Sequence, residues 1–469
     1  MVRILPILFC LLAVGSSGQT SPSLARGQII ESVSTIQDAN QSYALYLPAG
    51  YTPARTWPII YAFDPLARGV VPLRLYKDAA EKYGFILAGS NNSRNFSLQE
   101  SSKSASAIWD DTHLRLALDP QRTYTMGFSG GARMAGMIAL RCGPCRIAGV
   151  IAQGAGYPLG EKPSQKTSPL YFLAVGEEDF NWAEVMEVRR ERESLGLAYR
   201  SVVFPGPHQW APIAVVEDAV AWIQLKSMQS GAMAPNPSFI AAQFGKVHAD
   251  AEDAVMRRDD LSELSALRSL VSDFDGLKDI AAYRARLEKL QASPALKQAR
   301  KKEDEAIAAQ QALSSDLLTM LGELESASLE DRIRLRQEII HKMLQLKTNG
   351  AHENSSEKKL PLLRAFHSVR ASCIEGGQAQ FEMKYFDLAE FYFQIVSDVS
   401  PDDIWPVLLL AETSAARGNR KQAISRLRQT VKLGLNNREV FESDRNLQSL
   451  RATPEFQKFL SELQSLRRP

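Results

Sequence analysis

The chain has 469 residues, more than a single hydrophobic core usually holds together, so two or three domains are expected. Its residues are 45% hydrophobic and 23% charged, which is ordinary globular usage. With 55 basic and 53 acidic residues the formal net charge is +2, which favours neither nucleic acid nor an anionic membrane as a partner.

The N-terminus has the three parts of a secretory signal peptide. Arg3 precedes an apolar run over residues 4–14, and small residues follow, with Ser16 and Gly18 suited to cleavage after Gly18. A membrane anchor is the alternative, but this run is too short to span a bilayer, and no later segment is long and apolar enough. We therefore predict that residues 1–18 are removed and that the mature protein is exported, periplasmic or extracellular, without an integral membrane segment.

Residues 28–226 alternate between strand-like and helix-like patterns. The strand-like stretches are 42–48, 58–64, 85–90, 122–128, 147–154, 169–176 and 199–206, and the helix-like ones are 73–84, 104–118, 131–141, 182–195 and 212–225. This alternation predicts an α/β domain built on a mostly parallel sheet with helices on both faces.

The stretch YTMGFSGGARM, residues 124–134, contains the pattern G-x-S-x-G at Gly127, Ser129 and Gly131. A strand-like run precedes it and a helix-like run follows, so Ser129 is a candidate nucleophile, with a plain turn serine as the alternative. Glycines are needed because the turn is too sharp for side chains on either side. The helix N-terminus directs free N–H groups and the positive end of its dipole at the serine.

A serine nucleophile needs a base, and the base needs an orienting carboxylate. Asp179 and His208 each follow a strand-like stretch, in the order expected after Ser129, and open α/β sheets build their sites at the carboxyl ends of strands. Between Ser129 and the end of this domain the only histidine is His208. The acid is less well determined, because two glutamates directly precede Asp179.

The domain resembles an α/β-hydrolase of the polyhydroxybutyrate-depolymerase and feruloyl-esterase-like group over roughly Ser42 to Leu225. The resemblance rests on WDD at 109–111, LDPQRTYTMGFSGGARMA at 118–135, GEED at 176–179 and PHQW at 207–210.

This resemblance implies the hydrolysis of carboxylic esters through an acyl-enzyme, without a cofactor. It makes Ser129 the nucleophile, Asp179 the orienting acid and His208 the general base. Gly130 supplies one N–H to the oxyanion hole, as the residue after the nucleophile.

The second oxyanion donor departs from the family pattern. The family has a His-Gly pair after the early strand and takes the donor from the next residue, whereas this chain has Phe63-Asp64 followed by Pro65. Proline has no N–H, so the donor is Asp64 or Leu66, or it is missing. Losing one oxyanion donor costs about a hundredfold to a thousandfold in rate.

Cys142 and Cys145 form a CGPC sequence that matches the thioredoxin-type redox motif. A redox cysteine needs the N-terminus of a helix, whereas this pair follows a helix and meets the negative end of its dipole. In an exported protein a small structural disulfide is the better interpretation. A metal site is not predicted, because no second cysteine pair or histidine cluster exists.

The composition changes after the hydrolase-like domain. Residues 227–238 contain Gly, Pro and Ser and are predicted to form a linker, and residues 239–346 have helical periodicity. Residues 347–359 are predicted as a polar linker, and residues 360–469 as tetratricopeptide-like helical repeats.

The repeat prediction rests on a period of 34 residues between Ala389 and Ala423. Aligning these alanines pairs Gly377 with Ala411, both small residues at the positions where two helices of a unit would touch. Such units usually offer a concave surface to a protein partner and carry no chemistry.

The sequence therefore predicts a secreted serine esterase with an appended helical-repeat module that binds or assembles with a partner. The substrate is a small-molecule or polymeric ester. Two alternatives remain open: a serine peptidase of the same fold, and a binding or scaffold protein whose hydrolase domain has lost activity. The absence of an evident long lid insertion suggests an open site.

Overall fold

The computed structural model describes residues 24–95, 97–142, 145–158, 160–161 and 168–465. The predicted signal peptide, residues 1–18, lies outside this range. Within the described part of the chain, the helices include none that is long and apolar enough to cross a membrane.

The N-terminal half alternates strands and helices, which confirms the predicted fold class. In chain order they are β1 (Ile29–Ser34), β2 (Ser42–Tyr46), β3 (Trp57–Phe63), α1 (Val70–Tyr83), β4 (Ile86–Ser90), α2 (Leu98–Arg115), β5 (Leu118–Phe128), α3 (Gly130–Arg141), β6 (Gly149–Gln153), β7 (Leu170–Gly176), α4 (Trp182–Ser194), β8 (Tyr199–Phe204) and α5 (Ile213–Gln229). Strand β1 had no counterpart in the sequence prediction, because its polar, solvent-facing residues give no buried-strand signal.

The strands form one eight-stranded sheet in the order β1-β2-β4-β3-β5-β6-β7-β8. The pairs from β4 through β8 are parallel, and β2 joins β1 and β4 in antiparallel fashion. After β4 the chain crosses back to the other side of β3, so β3 and β5 meet at a topological switch point. Open α/β sheets place their sites at the carboxyl ends of the strands at such a point.

Helices cover both faces of the sheet. Helices α1 and α5 bury apolar side chains against one face, and α2, α3 and α4 bury theirs against the other. The central strands are buried on both faces, which explains why β3 and β7 appear in the sequence as nearly continuous apolar runs.

The C-terminal half is helical throughout. Its elements are α6 (Pro237–Arg257), α7 (Asp260–Asp273), α8 (Ala281–Gln291), α9 (Pro294–Glu323), α10 (Leu329–His352), α11 (Ser356–Glu382), α12 (Phe386–Val399), α13 (Ile404–Ala416), α14 (Arg420–Lys432), α15 (Arg438–Ser443), a 3₁₀ helix (Arg445–Leu450) and α16 (Pro454–Ser465). Three main apolar clusters hold this half together, formed by α6–α9, by α9–α12 and by α13–α16.

The predicted linkers need correction. Residues 347–359 are mostly helical, since α10 continues to His352 and α11 begins at Ser356. Their polar composition reflects two helix ends that face solvent, and it does not mark a break in helical structure. The predicted linker at 227–238 is shorter than expected, because α5 continues to Gln229 and buries Ser227 against the Tyr124 hydroxyl at 2.8 Å.

The repeat-like alignment corresponds to two helical hairpins. Helix α11 packs on α12, and α13 packs on α14. Gly377 lies where a Cβ would collide with the ring of Phe393, so a small residue is needed at this crossing. Their assignment as tetratricopeptide units stays a prediction.

Candidate active site

Ser129 lies on a strained turn between β5 and α3. Its backbone has φ 54° and ψ −125°, a conformation that a residue with a side chain rarely adopts. A Cβ at Gly127 would overlap the backbone of Gly131, and a Cβ at Gly131 would overlap the carbonyl of Phe63. The two glycines of the G-x-S-x-G pattern are therefore required by close backbone contacts, and Ser129 is 6% exposed.

Asp179 and His208 lie in the loops that follow β7 and β8. The Nδ1 atom of His208 is 2.9 Å from each carboxylate oxygen of Asp179, and Asp179 is fully buried. The neighbouring backbone ties the two loops together, because the N–H of Glu178 donates to the carbonyl of Gly206 at 3.0 Å. The carboxylate that faces the histidine is thus Asp179, not either of the glutamates before it.

The three segments converge at Gly154, directly after β6. A Cβ placed on Gly154 would lie 2.8 Å from the ring of Phe128, 3.0 Å from Asp179 Oδ2 and 3.1 Å from His208 Cε1. The N–H of Ser129 donates to the carbonyl of Gln153 at 2.8 Å, which fixes the turn beside the same point. A side chain at position 154 would overlap these groups. A glycine is therefore needed there for the serine turn, the acid and the histidine to meet at one edge of the sheet.

Two aromatic rings hold the imidazole of His208. The ring of Phe128, the residue before Ser129, lies 4.5 Å from it between centroids, and the ring of Phe180 lies 4.3 Å away. The side chain of His208 keeps 19% of its surface exposed. The imidazole is thus fixed in place while part of it remains accessible.

Two amide side chains that the sequence prediction did not single out support this arrangement. Asn181 donates from its side chain to the carbonyl of Gly154 at 2.7 Å and from its backbone to Asp179 Oδ1 at 2.8 Å. The buried Gln153 accepts from the N–H of Ala211 at 2.8 Å and so fixes the loop that carries His208. No sequence motif marks either residue, because both act through long-range contacts.

The predicted oxyanion residues differ in their surroundings. Gly130 is the first residue of α3, so its N–H is one of the free donors of a helix start. The N–H of Leu66 donates to Asp64 Oδ1 at 2.9 Å and is therefore occupied. The backbone nitrogen of Asp64 lies 3.4 Å from the position that a Cβ on Gly131 would take, close to the turn of Ser129.

The buried carboxylate of Asp64 is paired with two donor side chains. Arg68 donates to both of its oxygens at 2.9 Å, and the indole of Trp210 donates to Oδ2 at 3.1 Å. These donors offset the negative charge of the carboxylate.

The helical half contacts the loop that carries Asp179. Arg364 on α11 donates from Nε to the carbonyl of Glu177 at 2.6 Å and stacks on Trp182 at 3.6 Å. Gln310 on α9 donates to the carbonyl of Phe180 at 2.7 Å. These bonds hold the loop on both sides of Asp179.

Helix α11 also places charged and titratable groups beside the site. Burial lowers the pKa of His367, and the nearby carboxylates of Glu178 and Asp179 partly oppose this change. Burial raises the pKa of Glu375, with the Arg133 and His208 charges acting in the other direction. Burial also lowers the pKa of Arg364 to about 10, so this guanidinium remains charged at neutral pH.

Cys142 and Cys145 are joined by a disulfide directly after the C-terminus of α3. The predicted pairing is therefore present, at the end of the helix opposite Ser129. In the described ranges, no group of three or more His, Cys, Asp or Glu side chains could hold a metal ion.

No family model and no curated protein matches the chain. Several solved structures are similar to its N-terminal half. The fluorophosphonate-binding serine hydrolase F of Staphylococcus aureus is 14% identical, covers 42% of this chain and 96% of its own, and has a TM-score of 0.34. A ferulic acid esterase is 14% identical, with 42% and 97% covered and a TM-score of 0.36. The feruloyl esterase module from Clostridium thermocellum is 18% identical, with 41% and 86% covered and a TM-score of 0.32.

The sheet order, the strained serine turn and the position of the histidine and acid at strand ends define an α/β-hydrolase fold. The helical half follows this domain and packs against it, because Ile307 of α9 is buried in the same apolar cluster as Val185 of α4.

Proposed function

We propose that this protein is a serine hydrolase that cleaves carboxylic esters through an acyl-enzyme. The observation that carries the proposal is the Asp179–His208 pair at 2.9 Å, held at Gly154 beside the strained turn of Ser129. A serine, a histidine and a buried carboxylate in this chain order form the catalytic unit of α/β-hydrolases.

In the proposed mechanism, His208 takes the proton of the Ser129 hydroxyl through Nε2 as the oxygen attacks the ester carbonyl. Asp179 accepts from Nδ1, which sets the tautomer with Nε2 free and stabilises the imidazolium that forms. The imidazolium then returns its proton to the leaving alcohol, and an acyl-enzyme remains on Ser129. A water molecule, deprotonated by His208, attacks this acyl group and releases the acid.

The proposed oxyanion hole includes the N–H of Gly130, which lies at the N-terminus of α3, where the helix dipole favours negative charge. This chemistry needs no cofactor. The substrate is a small-molecule or polymeric ester.

We also propose export to the periplasm or cell exterior and the binding of a protein partner by the repeat-like helices. The alternative of a serine peptidase shares the same catalytic unit. The alternative of an inactive scaffold is favoured by Pro65, which removes the N–H that the family pattern places at this position.

The decisive experiment compares the wild-type protein with Ser129→Ala. The wild type is expected to hydrolyse a short-chain p-nitrophenyl ester and to be labelled by a fluorophosphonate at Ser129, and the variant is expected to lose both activities. Ser106→Ala is the matched control, because Ser106 is an exposed serine on α2. Labelling at another serine, or equal ester turnover by Ser129→Ala, would reject the proposal.

A further inference from the structure

Of the residues that follow β3, neither Pro65 nor Leu66 offers a free N–H to an oxyanion hole. Two donors normally share the negative charge of a tetrahedral intermediate, and one of them is the residue after the nucleophile, here Gly130. Pro65 has no N–H to offer, and the N–H of Leu66 is already bonded to Asp64 Oδ1 at 2.9 Å. A second donor must therefore come from a different part of the chain, or from Asp64 itself.

The loop between β4 and α2 passes directly over this backbone. The N–H of Asn95 donates to the carbonyl of Pro65 at 3.0 Å, and Arg94 forms an isolated antiparallel bridge with Leu66. The backbone of Arg94 is in turn fixed, because its N–H and its carbonyl both bond the hydroxyl of Ser101 on α2, at 3.1 Å and 3.0 Å. Asn95 is therefore anchored to the segment where the family pattern places the missing donor.

The side chain of Asn95 reaches the other half of the oxyanion hole. Its carboxamide occupies the space that a side chain at Gly130 would fill, because a Cβ there would overlap Oδ1 and would lie 2.7 Å from Cγ and 3.1 Å from Nδ2. The carboxamide of Asn95 can lie here only because residue 130 has no side chain. Asn95 thus lies beside both Pro65 and Gly130, and turning its carboxamide by 180° about χ2 brings Nδ2 to the position that Oδ1 occupies beside Gly130.

We propose that the Nδ2 amide of Asn95 is the second oxyanion donor of this hydrolase. An amide N–H is neutral at every working pH and donates without giving up its proton, so it can replace a backbone N–H directly. The role rests on the proposed serine-hydrolase function. It also explains how the hydrolase can have a proline at position 65, since the neighbouring loop supplies the hydrogen-bond donor that proline lacks.

The test compares Asn95→Ala and the uncharged, similarly sized Asn95→Leu with the wild type on a p-nitrophenyl ester. Removing the donor is expected to lower kcat by about a hundredfold to a thousandfold with KM within about threefold, because the bond is made in the transition state. Affinity for a phosphonate or boronate transition-state analogue should fall by a similar factor. Asn91→Ala is the matched control, since the carboxamide of Asn91 in the same loop bonds the carbonyl of Glu31 at 3.1 Å.

The possible outcomes separate this inference from the proposed function. If the wild type turns over esters and both Asn95 variants keep kcat within about twofold, Asn95 is not the donor, and the N–H of Asp64 takes its place. A rise in KM alone would make Asn95 a substrate contact and would also overturn the inference. Should Asn95→Ala fold poorly, Asn95→Leu decides, because its side chain has a similar size and shape but neither an N–H nor a charge. A wild type without ester turnover would refute the hydrolase itself.

Discussion

The two halves of the molecule carry functional information in different ways. In the α/β half, Ser129, Asp179 and His208 each lie where a strand ends, and short motifs around them are visible in the sequence. In the helical half, Gln310 and Arg364 lie within long helices and have no surrounding motif. The contact of these two side chains with the loop that carries Asp179 becomes visible only when the chain is folded.

The helical half nevertheless contacts the candidate active site through the loop that carries Asp179. Helix α9 donates a hydrogen bond to the carbonyl of Phe180, and α11 donates one to the carbonyl of Glu177, on either side of Asp179. The ring of Phe180 in turn lies against His208. The helical half is therefore connected to the imidazole through a single loop.

Among the contacts that join the two halves, the largest expected effect comes from the double substitution Gln310→Ala and Arg364→Ala. We expect kcat to fall about tenfold, since about 1.4 kcal/mol of lost positioning in the transition state corresponds to this factor. Steady-state kinetics would measure this change.

Arg364→Lys should restore part of the rate, because it keeps a charged donor. Arg336→Ala is the control, since Arg336 pairs with Asp398 within the helical half at 2.5 Å. A double variant that is less stable but keeps the wild-type kcat would show that the contacts only hold the two halves together.

A smaller effect is expected at the ion pairs between α4 and α9. Glu303 is buried and accepts from both Arg189 and Arg190, at 2.5 and 2.6 Å. Replacing it with alanine leaves two partly buried guanidinium groups without this partner and should lower the free energy of unfolding by about 1–3 kcal/mol. The neighbouring Asp304 also pairs with Arg190 but is 62% exposed, so Asp304→Ala should cost less than about 0.5 kcal/mol.

Urea unfolding followed by tryptophan fluorescence would measure both variants. In Glu303→Ala the two halves are expected to unfold at more widely separated urea concentrations, because the substitution weakens their shared interface. Equal unfolding of the two variants would contradict the idea that this buried pair couples the halves.

The α/β half was largely predictable from the sequence. Its buried strands alternate with amphipathic helices, and the chain order of the serine, acid and histidine follows from their positions at strand ends. The periodicity also predicted the helical character of the second half. These features are local, so a window of about ten to eighteen residues contains the signal for each.

The parts that were not predicted depend on contacts between distant segments. Asn95 reaches Gly130 across 35 positions, and Arg364 reaches Glu177 across 187. Polar residues at the adjoining ends of α10 and α11 resembled a linker, because solvent-facing helix ends and loops share the same composition. A single sequence shows residue types and spacing, but it does not show which surfaces meet.

The expected effect with the least consequence for ester turnover lies at the far end of the helical half and depends on pH. Burial and the nearby carboxylate of Asp444 raise the pKa of Glu412 on α13 from 4.5 to about 8. Asn446 donates to its Oε2 at 2.6 Å, and the charge of Arg445 partly offsets the rise in pKa. Because the folded state holds this proton more tightly than the unfolded state, the group stabilises the fold fully below pH 4.5.

This stabilisation is lost as the pH rises from 4.5 through about 8. The Tm of the helical half should therefore decrease between pH 5 and pH 8.5 in the wild type. Glu412→Gln keeps a neutral side chain of the same shape and should flatten this dependence, whereas Glu439→Gln, at an exposed position on α15, should not. Circular dichroism melts across this range would measure the slopes, and equal slopes for wild type and Glu412→Gln would show that Glu412 is not the group that titrates. Ester turnover at a fixed pH should be unchanged in Glu412→Gln, since the α13–α16 cluster does not include the helices that hold the catalytic loop.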